Sequence, residues 1–441
     1  MLLVNLNPIS LIDKLLATFF IYLIIGYQII ISPLLPHTCK FYPTCSQYGI
    51  VVLKRYGFIK GVYKLLKRVL MCNPYSEMST NDVDMGLVCT DNPLALSKVV
   101  IDVSNIVHNY DCVKSLLTSK TDIACVLKAN AYGLGSAKIG EILYGNGCRN
   151  FFVATPGEGI EIRSVIGEDA NVYILCGLLY GAEDVYVNHN LTPVLNTIDE
   201  IKLWHNFKKN KECVLQVDTG MSRNGISVAE LCSFTDFIKD LNVSCVISHL
   251  ACDGDKNNNK NNEQLRIFKN VKDILGNDIR YSLAASSGVF LGPEYHFDMV
   301  RIGAALYGFV GKTVGLKDVV KVYARILQIR TINKGDTIGY DATFTAEHDM
   351  VVATIGIGYA DGLTKQFANK YRFYCRGCEC YFVGKISMDY GVIDISNIPD
   401  GEIRVNDFVE MMPIKLLADE LCTNCGNITS QIGNRVLRVY C

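Results

Sequence analysis

The 441-residue chain is too long for one compact core, so two or three domains are expected. Its 43 Lys and Arg against 44 Asp and Glu leave a formal net charge of -1, which excludes a global electrostatic attraction to nucleic acid. The 18 cysteines do not read as a disulfide framework, because Cys125, Cys176, Cys213 and Cys245 lie in apolar runs, as buried thiols in a reducing compartment do. Two pairs, Cys375 with Cys378 and Cys422 with Cys425, have ligand-like spacing. They stand too far apart in sequence for a zinc ribbon, and no metal is expected.

At the N-terminus, Leu15 to Ile31 is almost wholly apolar and long enough to approach a membrane span, with Ser32, Pro33 and Pro36 ending it near the lower limit. No small-residue cleavage pattern follows, which argues against a signal peptide. From Lys40 to Cys72 there are seven Lys or Arg and no Asp or Glu. A helix over Ile50 to Met71 would set Lys54, Lys60, Lys64, Lys67 and Arg68 among Val52, Leu53, Leu65, Leu66, Val69 and Leu70. Such a basic amphipathic helix suits an anionic bilayer interface, although a solvated lysine face has the same pattern. Cys39-Lys-Phe-Tyr-Pro-Thr-Cys-Ser-Gln-Tyr48, Lys54-Arg-Tyr-Gly57, Lys60-Gly61 and Arg68 to Pro74 resemble the YidD-type membrane protein insertion efficiency factors. The resemblance implies a cytoplasmic module, 1–76, at the inner face of the cell membrane. It includes Cys39, Cys45 and Cys72 and stops before the family's glycine-rich tail.

Residues 77–95 are polar and pattern-free, as a linker is. From there to about Ala324 apolar strands alternate with helical stretches, with strands expected at 121–128, 151–155, 171–176, 191–196, 213–218, 243–249, 281–286 and 296–301. Eight such units predict an α/β fold, a (β/α)8 TIM barrel over 96–324, with Asp255 to Glu263 a solvated loop. Beyond, short strands such as Ala324 to Thr331, Val351 to Ile357, Tyr381 to Ile386 and Val392 to Ile395, with a helix near Ile414 to Cys422, predict a mostly-β domain over 325–441.

The run Val126-Leu-Lys128-Ala-Asn-Ala-Tyr132-Gly-Leu-Gly135 ends an apolar strand on one lysine and breaks into small residues. A lysine at the carboxyl end of a buried strand is desolvated and drawn toward a nucleophilic range, which suits a Schiff base. On spacing alone, a terminal lysine reaching out to solvent fits the same pattern. Barrel enzymes work at the carboxyl ends of their strands and often bind phosphate after strands seven and eight. Ser286 ends strand seven, and Gly303 with Ala304 follow strand eight, where a hydroxyl and bare N–H groups could cradle a phosphate.

The ten residues around Lys128 are similar to the pyridoxal phosphate lysine motif of alanine racemases, which usually has His where Leu134 stands. The likeness continues in order to the C-terminus and implies an enzyme interconverting L- and D-alanine with pyridoxal phosphate, supplying D-alanine for peptidoglycan. It gives Lys128 and Tyr340, in Gly335-Asp-Thr-Ile-Gly-Tyr340, as the two catalytic bases. In that family the tyrosine comes from the other subunit of a homodimer. Tyr132, His249, Ser286, Arg301, Gly303 and Ala304 fall at cofactor-binding positions. Arg301, facing the ring nitrogen, would leave it unprotonated, weaken the electron sink and disfavour transamination. His249 would touch the tyrosine and link it to Arg301. Arg223 and the Met388 backbone would hold the substrate carboxylate, and Tyr359, Asp361 and Asp389 would line the entryway.

Departures from the family pattern are Gln216 at a commonly carbamylated lysine, Lys365 and Lys385 at corridor arginines, and Asn434 where some members place a phosphate-binding tyrosine. Gln216 can hydrogen-bond Arg223 but brings no charge. Other readings are a serine racemase, a fold-type III decarboxylase, and a non-catalytic pyridoxal phosphate carrier with a membrane-insertion role. Arg301 and Tyr340 count against the decarboxylase, and the β domain against single-barrel carriers.

Overall fold

The computed structural model describes residues 8–30, 45–71, 94–208, 210–310 and 315–441. Two compact units emerge, Met1–Ala95 with Val439–Cys441, and Leu96–Arg438. Cys39, Cys72, most of the expected linker, and the side chains of Lys54 and Arg68 lie outside the described residues.

The first unit is a helical hairpin of α1, Pro8–Ile30, and α2, Cys45–Met71. The single helix expected from residue 50 begins earlier and is broken at Gly57, whose φ of 76° only glycine takes readily. Asp13 of α1 caps the second half: its Oδ1 accepts from the Phe58 and Ile59 N–H groups, each at 3.1 Å. Phe20 packs on Phe58, and Tyr48, Val52 and Leu65 form a small core. Leu16, Phe19, Leu23 and Tyr27 remain exposed at helical spacing, as do Ile59, Tyr63 and Leu66. Among the described residues no helix is long and apolar enough to cross a membrane.

The second unit begins with β1, Ser97–Ile101, and then builds the barrel from β2 (Asp122–Val126), β3 (Asn150–Val153), β4 (Asn171–Ile174), β5 (Thr192–Leu195), β6 (Cys213–Gln216), β7 (Val243–Ile247), β8 (Arg280–Ser282) and β9 (Met299–Ile302). All neighbours in the order β8-β7-β6-β5-β4-β3-β2-β9 pair in parallel, and a bridge from Ala285 to Arg301 joins the remaining edges. The eight strands fall where the apolar runs place them. Their inward residues, including Ala124, Phe152, Tyr173, Val194, Val214, Cys245 and Met299, fill the interior.

Three local expectations are corrected. β1 does not belong to the barrel region in which the sequence reading includes it; it pairs antiparallel with β10, Val320–Ile332, in the second sheet. Residues 259–263 are not loop but the start of a helix, Asn259–Leu275, because the Asn258 side chain caps it by accepting from Lys260 N–H at 3.0 Å. The strand expected over Tyr381 to Ile386 ends at Tyr381. Gly384 takes φ of 74° against the Ile338 carbonyl and breaks the extended run.

β10 is the hub of the mostly-β domain, pairing also with Met350–Ile355 and Phe408–Met411. Helices Ile414–Glu420 and Cys425–Ser430 follow. Cys375 and Cys378 face each other across a hairpin, and among the described residues no group of three or more His, Cys, Asp or Glu is placed to hold a metal.

Candidate active site

At the carboxyl ends of the barrel strands lies a cavity of about 400 Å³, within the range of small-molecule sites. Lys128, Tyr132, Arg223, His249, Ser286, Arg301, Gly303 and Ala304 all line it. Eight positions chosen from sequence thus converge on one space.

Lys128 sits just past β2, where the chain makes an unusual turn. Ala129, Asn130 and Ala131 have φ of 53° and Tyr132 has 58°, a left-handed run of four non-glycine residues. Each such residue costs about 1–2 kcal/mol, so the surroundings must hold it. Ala131 N–H donates to Leu127 O and Gly133 N–H to Ala129 O, both at 2.8 Å, while Asn130 Oδ1 accepts from Ser136 N–H at 2.8 Å. Gly133 is also required: a Cβ there would stand 2.1 Å from the Thr429 carbonyl oxygen. Burial, together with the charges of Arg223 and Arg301, lowers the Lys128 pKa, against an opposing pull from Glu158. The amine is drawn toward its free, nucleophilic form.

The turn delivers Tyr132 over the start of the β9 loop, its ring tilted against that of Tyr307. A Cβ on Gly303 would come within 2.4 Å of the Tyr132 Oη, so the glycine makes room for the phenol. Burial raises the Tyr132 pKa to about 12, which keeps it a hydrogen-bond donor. Ser286 Oγ accepts from Gly303 N–H at 2.9 Å and Ala305 N–H at 3.1 Å. Its own O–H remains to donate, which suits an anion.

Arg301 is buried at the barrel seam. It donates to Ser282 O and Ser282 Oγ, each at 2.7 Å, and to the Ser248 carbonyl. Burial brings its pKa down to about 10, which still leaves it a cation at neutral pH. His249 follows β7, and burial with the charges of Arg301, Arg223 and Lys128 lowers its pKa to about 3, so the imidazole is neutral. Gln264 holds that strand end, donating to His249 O at 3.0 Å and accepting from Ala251 N–H at 2.8 Å.

Arg223 rides on a loop after β6 that Asp218 organises, its Oδ1 accepting from Gly220 and Met221 N–H at 2.8 Å each. Gln216 Nε2 donates at 3.2 Å to Asn224 O, the carbonyl after Arg223, and so touches the loop's backbone where the sequence reading offered the guanidinium. Two wall residues had no role assigned from sequence. Asp253 accepts from Gly288 N–H at 3.1 Å and steadies the turn after Ser286. Asn424, from the β domain, lines the cavity, whereas Asn434 does not.

The remaining sequence-chosen residues form a separate surface on the β domain. Tyr340 is 67% exposed after Gly339, with Lys385 Nζ 2.5 Å from the adjacent Asp341. Met388 is also exposed. Arg435 joins the two entryway segments, reaching Asp361 at 2.6 Å and Asp389 at 2.5 Å. Lys365 lies over the Tyr359 ring at 3.8 Å. None of Tyr340, Met388, Tyr359, Asp361 or Asp389 lines the Lys128 cavity of its own chain.

The donor set fits pyridoxal phosphate: an amine of lowered pKa, a hydroxyl oriented by two backbone N–H groups with its own proton left to donate, a buried cation and a neutral imidazole share one cavity.

Residues 101–310 match the alanine racemase N-terminal domain model and 319–440 the C-terminal one; residues 16–84 match the YidD model of membrane protein insertion efficiency factors. An alanine racemase of Rickettsia akari is 35% identical over 358 residues, covering 79% of this chain and 99% of its own length. One from Rickettsia bellii is 36% identical over 333 residues, covering 72% of this chain and 81% of its own. Among solved structures, the alanine racemase of Bartonella henselae with covalently bound pyridoxal phosphate is 36% identical, with a TM-score of 0.75 over 79% of this chain and 100% of that one. With both domains matched in order around the Lys128 cavity, the chain belongs to the alanine racemase family, whose members are pyridoxal phosphate-dependent isomerases.

Proposed function

We propose that the chain racemises alanine by a two-base mechanism in which Lys128 serves one face of the α-carbon and Tyr340 of the partner subunit serves the other. The observation that carries this is the lowered-pKa amine of Lys128, facing a cavity that also holds Ser286, His249 and Arg301. Lys128, Tyr132, Ser286, Gly303 and Ala304 would hold pyridoxal phosphate, which when bound supplies the electron sink that acidifies the α-hydrogen. Arg301 remains a cation and gives up no proton at neutral pH, so it leaves the ring nitrogen an acceptor and keeps that sink shallow. His249, neutral and next to the Arg301 partner Ser248, can accept a hydrogen bond from a phenol. Arg223 and the Met388 backbone would bind the substrate carboxylate. Inversion needs a proton delivered on the face opposite its removal, and one base cannot easily serve both.

The exposure of Tyr340 and Met388, away from their own chain's cavity, supports a homodimer with shared sites. The apolar stripes of α1 and α2, with Lys60 and Lys67 exposed beside them, support a module that rests on the anionic inner face of the membrane and aids protein insertion there. The product would feed D-alanine to peptidoglycan.

The test is D-alanine formation from L-alanine by the full chain, with pyridoxal phosphate absorbance followed in parallel. Lys128→Ala should lose the bound-cofactor absorbance and both reaction directions. Turnover at the wild-type rate by that variant would sink the assignment.

A further inference from the structure

Glu158 lies in the first turn of the helix Pro156–Arg163, after β3, and none of the roles above uses it. Its carboxylate is committed to backbone at two strand ends. Oε1 accepts from Ala129 N–H at 2.7 Å and from Asn130 N–H at 3.4 Å, and Oε2 accepts from Ala154 N–H at 2.7 Å. These contacts tie the first two residues of the left-handed turn to the end of the neighbouring barrel strand. That turn starts one residue after Lys128, and of Ala-Asn-Ala-Tyr only Asn130 tolerates its conformation readily. A strained segment persists only where outside groups hold it.

The same carboxylate bears on the amine electrically. Arg223 from the β6 loop and Arg301 on β9 both oppose a charge on Lys128, and Glu158 alone favours it. Of the other titratable groups lining this space, His249 and Tyr132 are neutral and add no charge at neutral pH, and Asp253, after β7, has its carboxyl raised by burial and bonds Gly288 N–H.

We infer that Glu158 is the positioning residue of Lys128: it locks the turn that aims the amine into the cavity and balances, with its own charge, the two arginines that face it. This rests on the reading of Lys128 as the cofactor lysine. Two substitutions separate the two effects. Glu158→Gln keeps an oxygen for the Ala129 N–H but removes the charge and turns an amide donor toward Ala154. Glu158→Ala removes oxygen and charge together.

The experiment uses the full-length protein. In the apoenzyme, labelling of Lys128 by an amine-acylating reagent is followed against pH by peptide mass spectrometry, and pyridoxal phosphate affinity is measured by absorbance titration. Loss of the carboxylate charge should move the E158Q labelling midpoint to lower pH, by about half a unit or more. Release of the turn should weaken cofactor binding to E158A by about tenfold or more. If both variants keep the wild-type midpoint and affinity while melting at lower temperature, Glu158 merely stabilises the fold and the inference is overturned. Borohydride reduction of the wild-type holoenzyme guards the underlying reading. A pyridoxyl label on a residue other than Lys128 would overturn that reading itself, whereas unchanged Lys128 titration overturns only the role of Glu158.

Discussion

The mouth of the barrel and the Tyr340 surface of the β domain are opposites in how they are prepared. Around Lys128 the strand-end side chains of Ser286, Arg301 and Glu158 are held by hydrogen bonds, and the environment has already shifted the titrating groups: Lys128 and Arg301 downward, His249 to about 3, Tyr132 to about 12. Around Tyr340 the phenol and the Met388 side chain are exposed, and ion pairs such as Lys385 with Asp341 and Arg435 with Asp361 lie on that face. One half of the chemistry is preorganised within a single chain. In the proposed mechanism the other half needs a second copy, whose arginines and neutral His249 would supply the cationic and hydrogen-bonding help a phenol needs to act as a base.

The sharpest way to break this comparison is to mix two dead variants. Tyr340→Phe should keep the bound-cofactor absorbance and lose about 10²- to 10⁴-fold in racemisation. If the sites are shared, Lys128→Ala and Tyr340→Phe subunits that exchange freely form hybrids in half of the dimers, each with one intact site of two. About a quarter of wild-type activity should return. No recovery after verified exchange would place both bases in one chain.

A smaller effect probes the closed half alone. His249 has a folded-state pKa below its unfolded value, so the unfolded chain binds the extra proton as pH falls through about 6.5, and stability is lost from there downward toward the folded value near 3. Above that window the group contributes no slope. The apoenzyme should therefore lose about 1–3 kcal/mol by pH 4.5 from this residue. His249→Gln, followed by denaturant unfolding at several pH values, should flatten that part of the curve; an unchanged slope would mean the imidazole is not the source.

The smallest effect belongs to the open half. Gly339, at φ of 76°, sets the loop that presents Tyr340. Gly339→Ala should cost about 1 kcal/mol and slow turnover, with cofactor affinity unaltered. A parallel fall in cofactor affinity would blur the distinction between the two regions.

What sequence revealed follows the same division. The eight barrel strands were legible because strands buried on both faces read as unbroken apolar runs. Lys128 and Ser286 were legible because barrel topology gathers strand ends, whereas Arg301, His249 and Arg223 were reached only through the resemblance to alanine racemases. The left-handed turn was not, since Ala129 and Ala131 carry no signal for positive φ. Glu158 was faintly visible, three residues after Thr155 in a capping pattern, but its reach to Ala129 depends on the turn. β1 was missed because five residues cannot say which of two sheets they will join. The break at Gly57 was missed for another reason: its cap, Asp13, comes from a different helix.

Arg301 has a consequence beyond its charge. Its backbone makes the bridge at Ala285 that joins β8 to β9, its N–H donates to Ala284 O at 3.0 Å, and its side chain ties down Ser282 and Ser248. The clasp of the barrel and the wall of the cofactor pocket are one residue. Heat that opens the seam must also dismantle the pocket, so under the proposed function bound cofactor would act as a latch on the ring of strands and raise the temperature at which the seam opens.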